Sequence, residues 1–200
     1  MKKIKKIKKI IIGTHNKGKF KELSYLLPKS LKKMSPINLS IESPAETGKT
    51  FIANSELKAR YFYKKTKIVS LSDDSGLSIK CLGGKPGIHS ARFAKKHGSF
   101  KNAMKMIINK IKNKKIKKAE AEFICSLSIC LEKKRTITAV GKVEGYISEK
   151  IKGKNGFGYD PIFIPRKYKK TFAEFSKRKK MLMDHRFVAY KKLIKKTNIL

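Results

Sequence analysis

The chain has 200 residues, of which 51 are Lys or Arg and 14 are Asp or Glu, so its formal net charge is +37. Hydrophobic residues make up 40%, which is enough for a folded core and argues against disorder. Three cysteines without zinc spacing exclude a zinc finger or a disulfide framework, and no apolar run is long enough to span a membrane. We therefore expect one cytoplasmic domain over residues 1–200, with residues 1–6 as a basic tail.

Strands and helices are predicted to alternate along the first half of the chain. A strand over residues 7–12 is followed by a helix over residues 19–27, where apolar residues recur at helical spacing. No long element is expected over residues 29–50, and a second helix is predicted over residues 50–64. A strand over residues 67–72 leads to Asp73 and Asp74, and Gly76 is expected to end it.

The second half continues the same alternation. Its predicted elements are a helix over residues 99–112, a strand with one buried face over residues 119–131, a strand over residues 135–147, a glycine-rich loop over residues 152–161, a strand over residues 162–164 and a helix over residues 184–194. This order predicts an α/β fold with a mixed twisted β-sheet flanked by helices. We expect two lobes with the active-site cleft between them.

Asp73 and Asp74 are adjacent carboxylates in a chain with few acidic residues. Carboxylates at the end of a strand suit a divalent cation such as Mg²⁺, which proteins hold through one or two carboxylates together with substrate phosphates. Residues 73–76 are also of types that favour a turn, in which Asp73 would cap the next segment and Asp74 would be solvated. On this pair alone, both interpretations stay open.

Thr14, Asn16 and Lys19 lie between the first strand and the first helix. Their hydroxyl, amide and ammonium groups, beside the N–H groups of a helix N-terminus, form an anion site. Residues 13–19 lack the Gly-Lys-Ser/Thr ending of a nucleotide P-loop. Helix capping alone also explains residues of these types at this place.

Two further segments carry groups that suit a ligand. In residues 153–161, three glycines allow the backbone to approach a ligand, and the rings of Phe157 and Tyr159 offer flat faces to a base; the alternative is a hairpin turn with packed aromatics. Asp184 is a good N-cap, which places His185 and Arg186 in the first turn of the last helix. A His at a helix start is usually structural, but His-Arg can also donate hydrogen bonds to a carbonyl.

Taken in order, these motifs resemble those of the inosine triphosphate pyrophosphatases, which hydrolyse non-standard purine nucleoside triphosphates. The motifs that carry the resemblance are Gly-Thr-His-Asn-Lys-Gly-Lys at residues 13–19, Glu-Thr-Gly at 46–48, Ser-Asp-Asp-Ser-Gly-Leu at 72–77, Leu-Gly-Gly-Lys-Pro-Gly-Ile-His-Ser-Ala-Arg at 82–92, Asn-Gly-Phe-Gly-Tyr-Asp-Pro at 155–161, and the residues Lys180, His185 and Arg186. The matches extend from residue 13 to residue 186 and cover nearly the whole chain.

The resemblance implies Mg²⁺-dependent hydrolysis of ITP, dITP and XTP to the nucleoside monophosphate and pyrophosphate. It implies that Asp74 accepts the proton of the attacking water and that Glu46 and Asp74 hold Mg²⁺, with Asp73 as a further metal candidate. The residues implied in binding the purine nucleoside triphosphate are Thr14, His15, Asn16, Lys17, Gly18, Lys19, Ser75, Phe157, Gly158, Tyr159, Asp160, Lys180, His185 and Arg186. Family members are usually homodimers, so a homodimer is implied here.

Four positions depart from the family pattern. Ala45 and Ala53 stand where an additional acidic residue is common, so the metal affinity is expected to be lower. His15 replaces a small residue in the phosphate loop and is expected to crowd it. Asp184 replaces Ser, and because both are good N-caps the local geometry is expected to survive.

The rival function is that of a basic nucleic-acid-binding protein, in which Phe157 and Tyr159 stack on bases and lysines follow the phosphates. Glu46, Asp73 and Asp74 disfavour it, because carboxylates without a bound cation repel phosphate. We therefore expect only nonspecific, salt-dependent affinity for nucleic acid and no membrane partner.

Overall fold

The structure is a computed structural model that describes residues 7–133 and 135–197. The basic tail predicted for residues 1–6 lies outside the described residues. None of the helices in the described ranges is long and apolar enough to cross a membrane. The chain forms two compact units: unit 1 contains the described residues of Met1–Asp74, Cys125–Gly141 and Arg186–Leu200, and unit 2 contains Ser75–Ile124 and Lys142–His185.

Strands and α-helices alternate in the described residues. In chain order they are β1 (Lys9–Ile12), α1 (Lys17–Leu26), β2 (Lys32–Met34), α2 (Phe51–Thr66), β3 (Ser70–Ile79), α3 (Ser90–Lys96), α4 (Phe100–Asn113), β4 (Glu120–Glu132), β5 (Arg135–Ile147), β6 (Phe163–Pro165), α5 (Lys177–Met181) and α6 (His185–Thr197). The sheet order is β2-β1-β3-β4-β5-β6. Because β1 is parallel to β2 and β3 while β6 is antiparallel to β5, the predicted α/β fold with a mixed sheet is confirmed. The cleft between two lobes stays a prediction.

Each unit has its own apolar core. The core of unit 1 contains Ile10 and Ile12 of β1, packed with Leu23 of α1 and Leu193 of α6. The core of unit 2 forms around the apolar face of α4, and its members include Met104, Ile107, Ile108, Ile111, Phe123, Phe163 and Phe172. The helical spacing of apolar residues in α4 therefore reflects core packing, as the sequence predicts.

Polar N-caps determine where the helices begin. The side chain of Asn16 accepts a hydrogen bond from the backbone N–H of Lys19 at 3.0 Å, and Thr50 accepts one from Ala53 at 3.0 Å. Each cap satisfies a backbone donor that has no partner inside the helix. For this reason α1 begins at Lys17, directly after the loop that carries Thr14 and Asn16.

Strand β3 runs through the acidic pair, so the expectation that Gly76 ends the strand is wrong, as is the turn interpretation of residues 73–76. Asp73, Asp74 and Gly76 all lie inside this ten-residue strand. A Cβ atom on Gly76 would stand 2.2 Å from the carbonyl oxygen of Gly87 and 2.6 Å from Ser90 Oγ. Glycine is therefore needed here for close approach of two backbone segments, which is one of its uses inside strands.

Strand β4 is buried on both faces along its middle, so the expectation of one buried face is wrong. Residues 123–130 are all buried. The hydroxyl of Ser55 on α2 lies 2.8 Å from Ser126 Oγ and 2.7 Å from Ser128 Oγ. Because these hydrogen bonds satisfy the serines, polar residues occupy the interior positions that the sequence pattern assigns to solvent.

Candidate active site

The acidic centre of unit 1 lies on β3, where Asp73 is fully buried. Its carboxylate contacts a cation from each of two helices: Lys19 Nζ of α1 at 3.1 Å and Arg186 Nε of α6 at 3.4 Å. Burial alone would raise the pKa of Asp73, but Lys19, Arg186 and Lys58 together hold this pKa well below its usual range. Asp73 is therefore a permanent negative charge that fixes two cations.

Asp74 follows on the same strand and is 4% exposed. Its Oδ2 accepts a hydrogen bond from Asn54 Nδ2 at 3.0 Å. Burial raises the pKa of Asp74, the carboxylate of Glu46 raises it further, and Lys58, Lys19 and Asn54 offset only part of this rise. Two adjacent carboxyls therefore have pKa shifts of opposite sign, which is the pattern expected when one stays ionised and the other exchanges a proton.

Glu46 is held beside this centre by residues of α2. Lys58, which is 5% exposed, places its Nζ 2.5 Å from Glu46 Oε1. Burial lowers the pKa of Lys58, but the carboxylates of Asp73, Glu46 and Asp74 outweigh burial and the net shift is upward. Asn54, one turn earlier, accepts a hydrogen bond from the N–H of Gly48 at 2.7 Å and so ties the Glu46 loop to Asp74.

The donor set fits a Mg²⁺ ion that is shared with phosphates. The upward effect of Glu46 on the pKa of Asp74 shows that the two carboxylates repel each other, and a divalent cation would remove that repulsion. Among the described residues, no three His, Cys, Asp or Glu side chains form a metal cluster. Mg²⁺ does not require one, because it is usually held by one or two carboxylates and substrate phosphates.

The predicted phosphate loop of unit 1 has a defined geometry. Thr14 is buried, and its Oγ1 accepts a hydrogen bond from the N–H of Asn16 at 3.2 Å. His15, Asn16 and Lys17 are exposed, and Gly18 and Lys19 are half-buried. His15 Nε2 lies 3.0 Å from the carbonyl oxygen of Ile41, so its ring is held against a neighbouring loop. The structure thus brings residues 14–19 and the β3 carboxylates together in unit 1.

A second group of predicted site residues lies in unit 2, around Lys180 of α5. Lys180 is 3% exposed, and its Nζ lies 3.1 Å from Asp160 Oδ2 and 3.4 Å from Asp184 Oδ2. Asp160 Oδ2 also accepts a hydrogen bond from the N–H of Phe157 at 2.8 Å. The Lys180 ammonium stands 5.0 Å from the centre of the half-buried Phe157 ring, where the ring face attracts a cation.

Tyr159 and His185 are packing residues of unit 2. The hydroxyl of Tyr159 donates a hydrogen bond to the carbonyl of Ser90 at 2.9 Å, and its buried ring packs edge-on against Phe100. This contradicts the prediction that Tyr159 offers a flat face to a base, because the ring and the hydroxyl already have protein partners. His185 is also buried and stacks on Phe123 at 4.7 Å and 7°, which favours the structural interpretation.

Arg186, assigned to unit 1, has two protein carboxylates as partners. Its Nη1 lies 2.8 Å from Glu22 Oε2, in addition to the contact between its Nε and Asp73.

Ser75 is half-buried on β3 and belongs to unit 2, as does Gly158. Glu22, Asn54 and Lys58 were not predicted from the sequence. A signal for the last two existed: they are polar residues at i and i+4 on one face of a helix.

The chain matches the model of the Ham1 family over residues 10–196. A Bacillus subtilis (strain 168) protein named dITP/XTP pyrophosphatase is 40% identical over 192 residues, covering 94% of this chain and 96% of the relative. A Zymomonas mobilis protein of the same name is 37% identical and covers 93% of this chain and 90% of the relative. Among solved structures, a HAM1 protein from Coxiella burnetii has a TM-score of 0.85 at 30% identity, covering 95% of this chain and 98% of that one. The Ham1 protein of Staphylococcus aureus has a TM-score of 0.83 at 33% identity, with coverages of 96% and 98%.

Proposed function

The chain belongs to the Ham1 family, and from that premise we propose that it is a nucleoside triphosphate pyrophosphatase for non-standard purine nucleotides. It hydrolyses ITP, dITP and XTP to the nucleoside monophosphate and pyrophosphate, and residues 1–200 form a single domain for this reaction. Relatives named dITP/XTP pyrophosphatase over nearly the full length support the proposal.

The observation that carries the proposal is the different environment of the two adjacent carboxyls on β3. Asp73 is fixed between Lys19 and Arg186, whereas Asp74 has an amide donor, Asn54, on one oxygen and a pKa raised mainly by burial. Asp74 is therefore the group suited to accept the proton of an attacking water. Asp73 holds the two cations in position.

The remaining residues of unit 1 bind the triphosphate. The N–H groups at the start of α1 and the Lys19 ammonium attract the phosphates, while Lys58 keeps Glu46 aimed beside Asp74. Glu46 and Asp74 would hold Mg²⁺ together with the phosphates. When bound, the ion supplies neutralisation of the charge that develops on the phosphoryl oxygens.

The residues of unit 2 bind the nucleoside in this proposal. The half-buried Phe157 ring offers a face to the base, and the Lys180 ammonium supplies a donor beside that ring. Hypoxanthine and xanthine carry an acceptor oxygen at C6, whereas adenine carries an amino donor there. A buried donor that pairs with the C6 oxygen would face the amino group of adenine, so both donors would be left without an acceptor. Binding of ATP is therefore disfavoured.

A substrate panel tests the proposal. Purified protein is incubated with ITP, XTP, dITP, GTP and ATP, with Mg²⁺ or with a chelator, and pyrophosphate and orthophosphate are measured separately. We expect pyrophosphate release from ITP, XTP and dITP but not from ATP, and only with Mg²⁺; the rate with GTP shows whether the 2-amino group is also selected against. Release of orthophosphate, or equal rates with ATP, would contradict the proposal; tight RNA binding without any hydrolysis would favour the rival function.

Arg186→Ala tests whether Arg186 also contributes to base selection. A narrower ratio of the kcat/KM values for ITP and ATP would support a donor aimed at the C6 oxygen. An unchanged ratio with both values reduced would limit Arg186 to positioning Asp73.

We propose further that the protein forms a homodimer, as the family resemblance implies, and that it is cytoplasmic, which its free cysteines support. Light scattering on the purified protein tests the first point, and a species of monomer mass at micromolar concentration would contradict it. Fractionation of the source cells tests the second.

A further inference from the structure

Unit 2 contains a groove of about 670 Å³ that shares no residue with the site described above. We call it the basic groove. It is lined by one carboxylate, Glu149, and by six cations: Lys117, Lys118, Lys150, Lys152, Arg166 and Lys169. The cations come from three separate chain segments, namely the turn before β4, the segment after β5 and the segment after β6. The fold therefore collects them on one concave surface.

Two tyrosines line the same groove. Tyr168 is 40% exposed, and its ring packs edge-on against Phe175 at 5.1 Å, which fixes its orientation. Tyr146 is half-buried, and the ammonium of Lys118 stands 4.1 Å from its ring centre, so a cation is held in place at the groove. Exposed tyrosine beside clustered cations is the combination by which proteins bind single-stranded nucleic acid, since bases stack on the rings.

The positive charge of the groove is only partly neutralised within unit 2. The guanidinium of Arg166 lies 3.3 Å from Glu144 and 4.0 Å from Glu120. Two of the lysines also interact electrostatically with carboxylates, Lys118 with Glu120 and Lys152 with Glu174. Lysines are exposed over much of this chain, and their charge alone attracts any polyanion weakly. The basic groove combines a concave surface, cations from three chain segments and an oriented aromatic ring.

We propose that the basic groove binds single-stranded nucleic acid, with a base stacked on Tyr168 and the backbone phosphates at the surrounding lysines. Binding is tolerant of sequence, because every base has a face that stacks, and it depends strongly on salt. The proposal is independent of the pyrophosphatase activity.

Fluorescence anisotropy with a labelled oligothymidylate of about 12 nucleotides tests this proposal, with a duplex of the same length as competitor. The groove variant is Lys117→Ala/Lys118→Ala/Lys169→Ala. The matched control removes three exposed lysines of α4 in the same unit, Lys101→Ala/Lys105→Ala/Lys112→Ala, so both variants have the same net charge. A second groove variant, Lys117→Ala/Lys150→Ala/Lys169→Ala, leaves the contact between Lys118 and Tyr146 intact.

We expect both groove variants to weaken binding at least about tenfold and to lower the slope of log K against log salt by about 2, since each lost phosphate contact removes about 0.7. The control is expected to change affinity less than about twofold. Tyr168→Ala should weaken binding about fivefold or more, while Tyr168→Phe keeps it, because stacking needs only the ring. ITP hydrolysis and the thermal midpoint should be unchanged in every variant, which verifies that each one is folded.

Three results would overturn the proposal. Equal losses in the groove and control variants would show that only the general charge acts. Unchanged affinity in Tyr168→Ala would exclude stacking on that ring. Duplex competing as well as the single strand would show that the protein binds phosphate without the bases.

Discussion

The two carboxyls of β3 allow a reciprocal experiment, because the same Asp→Asn change should affect stability at one position and turnover at the other. Asp73→Asn removes a fully buried charge that contacts Lys19 at 3.1 Å and Arg186 at 3.4 Å. Removing one partner of a buried ion pair destabilises a protein by about 3–5 kcal/mol, since a charge stays behind without its counter-charge. For a chain of this length each kcal/mol lowers the melting temperature by about 2–4 °C, so we expect a fall of roughly 6–20 °C.

Asp74→Asn should leave stability intact. The raised pKa of Asp74 means that folding disfavours its ionised form, and a neutral amide removes that penalty. The new side-chain oxygen can still accept the hydrogen bond from Asn54. An amide cannot accept the proton of the attacking water, however, so turnover of ITP should fall by about two to four orders of magnitude.

Thermal unfolding followed by circular dichroism and pyrophosphate release from ITP give the two measurements. Glu149→Gln, the same chemical change at an exposed carboxylate of unit 2, is the matched control and should alter neither. If Asp73→Asn had the same melting temperature as the parent protein, the ion pairs of Asp73 would not stabilise the fold. Turnover of Asp74→Asn near the parent rate would remove Asp74 from the chemistry.

Three further variants test unit 2. Lys180→Met leaves the buried Asp160 and Asp184 without the cation between them, and urea unfolding should show a loss of about 3–5 kcal/mol; a loss below about 1 kcal/mol would contradict this. Tyr159→Phe removes the hydrogen bond to the carbonyl of Ser90, so its free energy of unfolding at neutral pH should be about 1 kcal/mol lower than that of the parent. Burial raises the pKa of Tyr159, so above about pH 10 its hydroxyl ionises in the unfolded parent but not in the folded one, and the free energy of unfolding should fall by up to about 1.4 kcal/mol per pH unit. Tyr159→Phe should lack this contribution. If the free energy of unfolding had the same pH dependence in the parent and the variant, burial of the hydroxyl would not have this effect. Gly156→Ala places a Cβ 2.1 Å from Asp160 Oδ2 at a φ of +76°, so we expect a higher KM for ITP with the fold retained, and an unchanged KM would show that the loop is not part of the nucleotide site.

The longer elements of the fold could be predicted because their patterns extend over many residues. Strand β5 was predicted with its observed bounds, and the apolar face of α4 identified that helix. Two elements, β2 with three residues and α5 with five, are too short to show a period. The prediction at Gly76 was wrong because the sequence does not distinguish a glycine that lets two backbone segments approach closely from one that ends a strand.

The candidate site was predictable where motifs are local and not where contacts are distant in sequence. Thr14, Asn16, Lys19 and the pair Asp73 and Asp74 are candidates by residue type and place in the chain. The other residues of the phosphate loop and the role of Asp74 as a base rest on the family resemblance. Lys58 was missed, since its role depends on carboxylates from the Glu46 loop and from β3. Tyr159 was assigned to a base because its burial depends on the distant residues Ser90 and Phe100.

The ion pair between Glu22 and Arg186 has a consequence for synthesis of the chain on the ribosome. Its partners are separated by 164 residues, which at about 5–20 residues per second is an interval of roughly 10–30 s. In the later part of that interval Glu22 and Asp73 have both been made, while the arginine that both contact in the finished protein has not. Unit 1 can therefore complete its charged centre only after nearly the whole polypeptide has emerged.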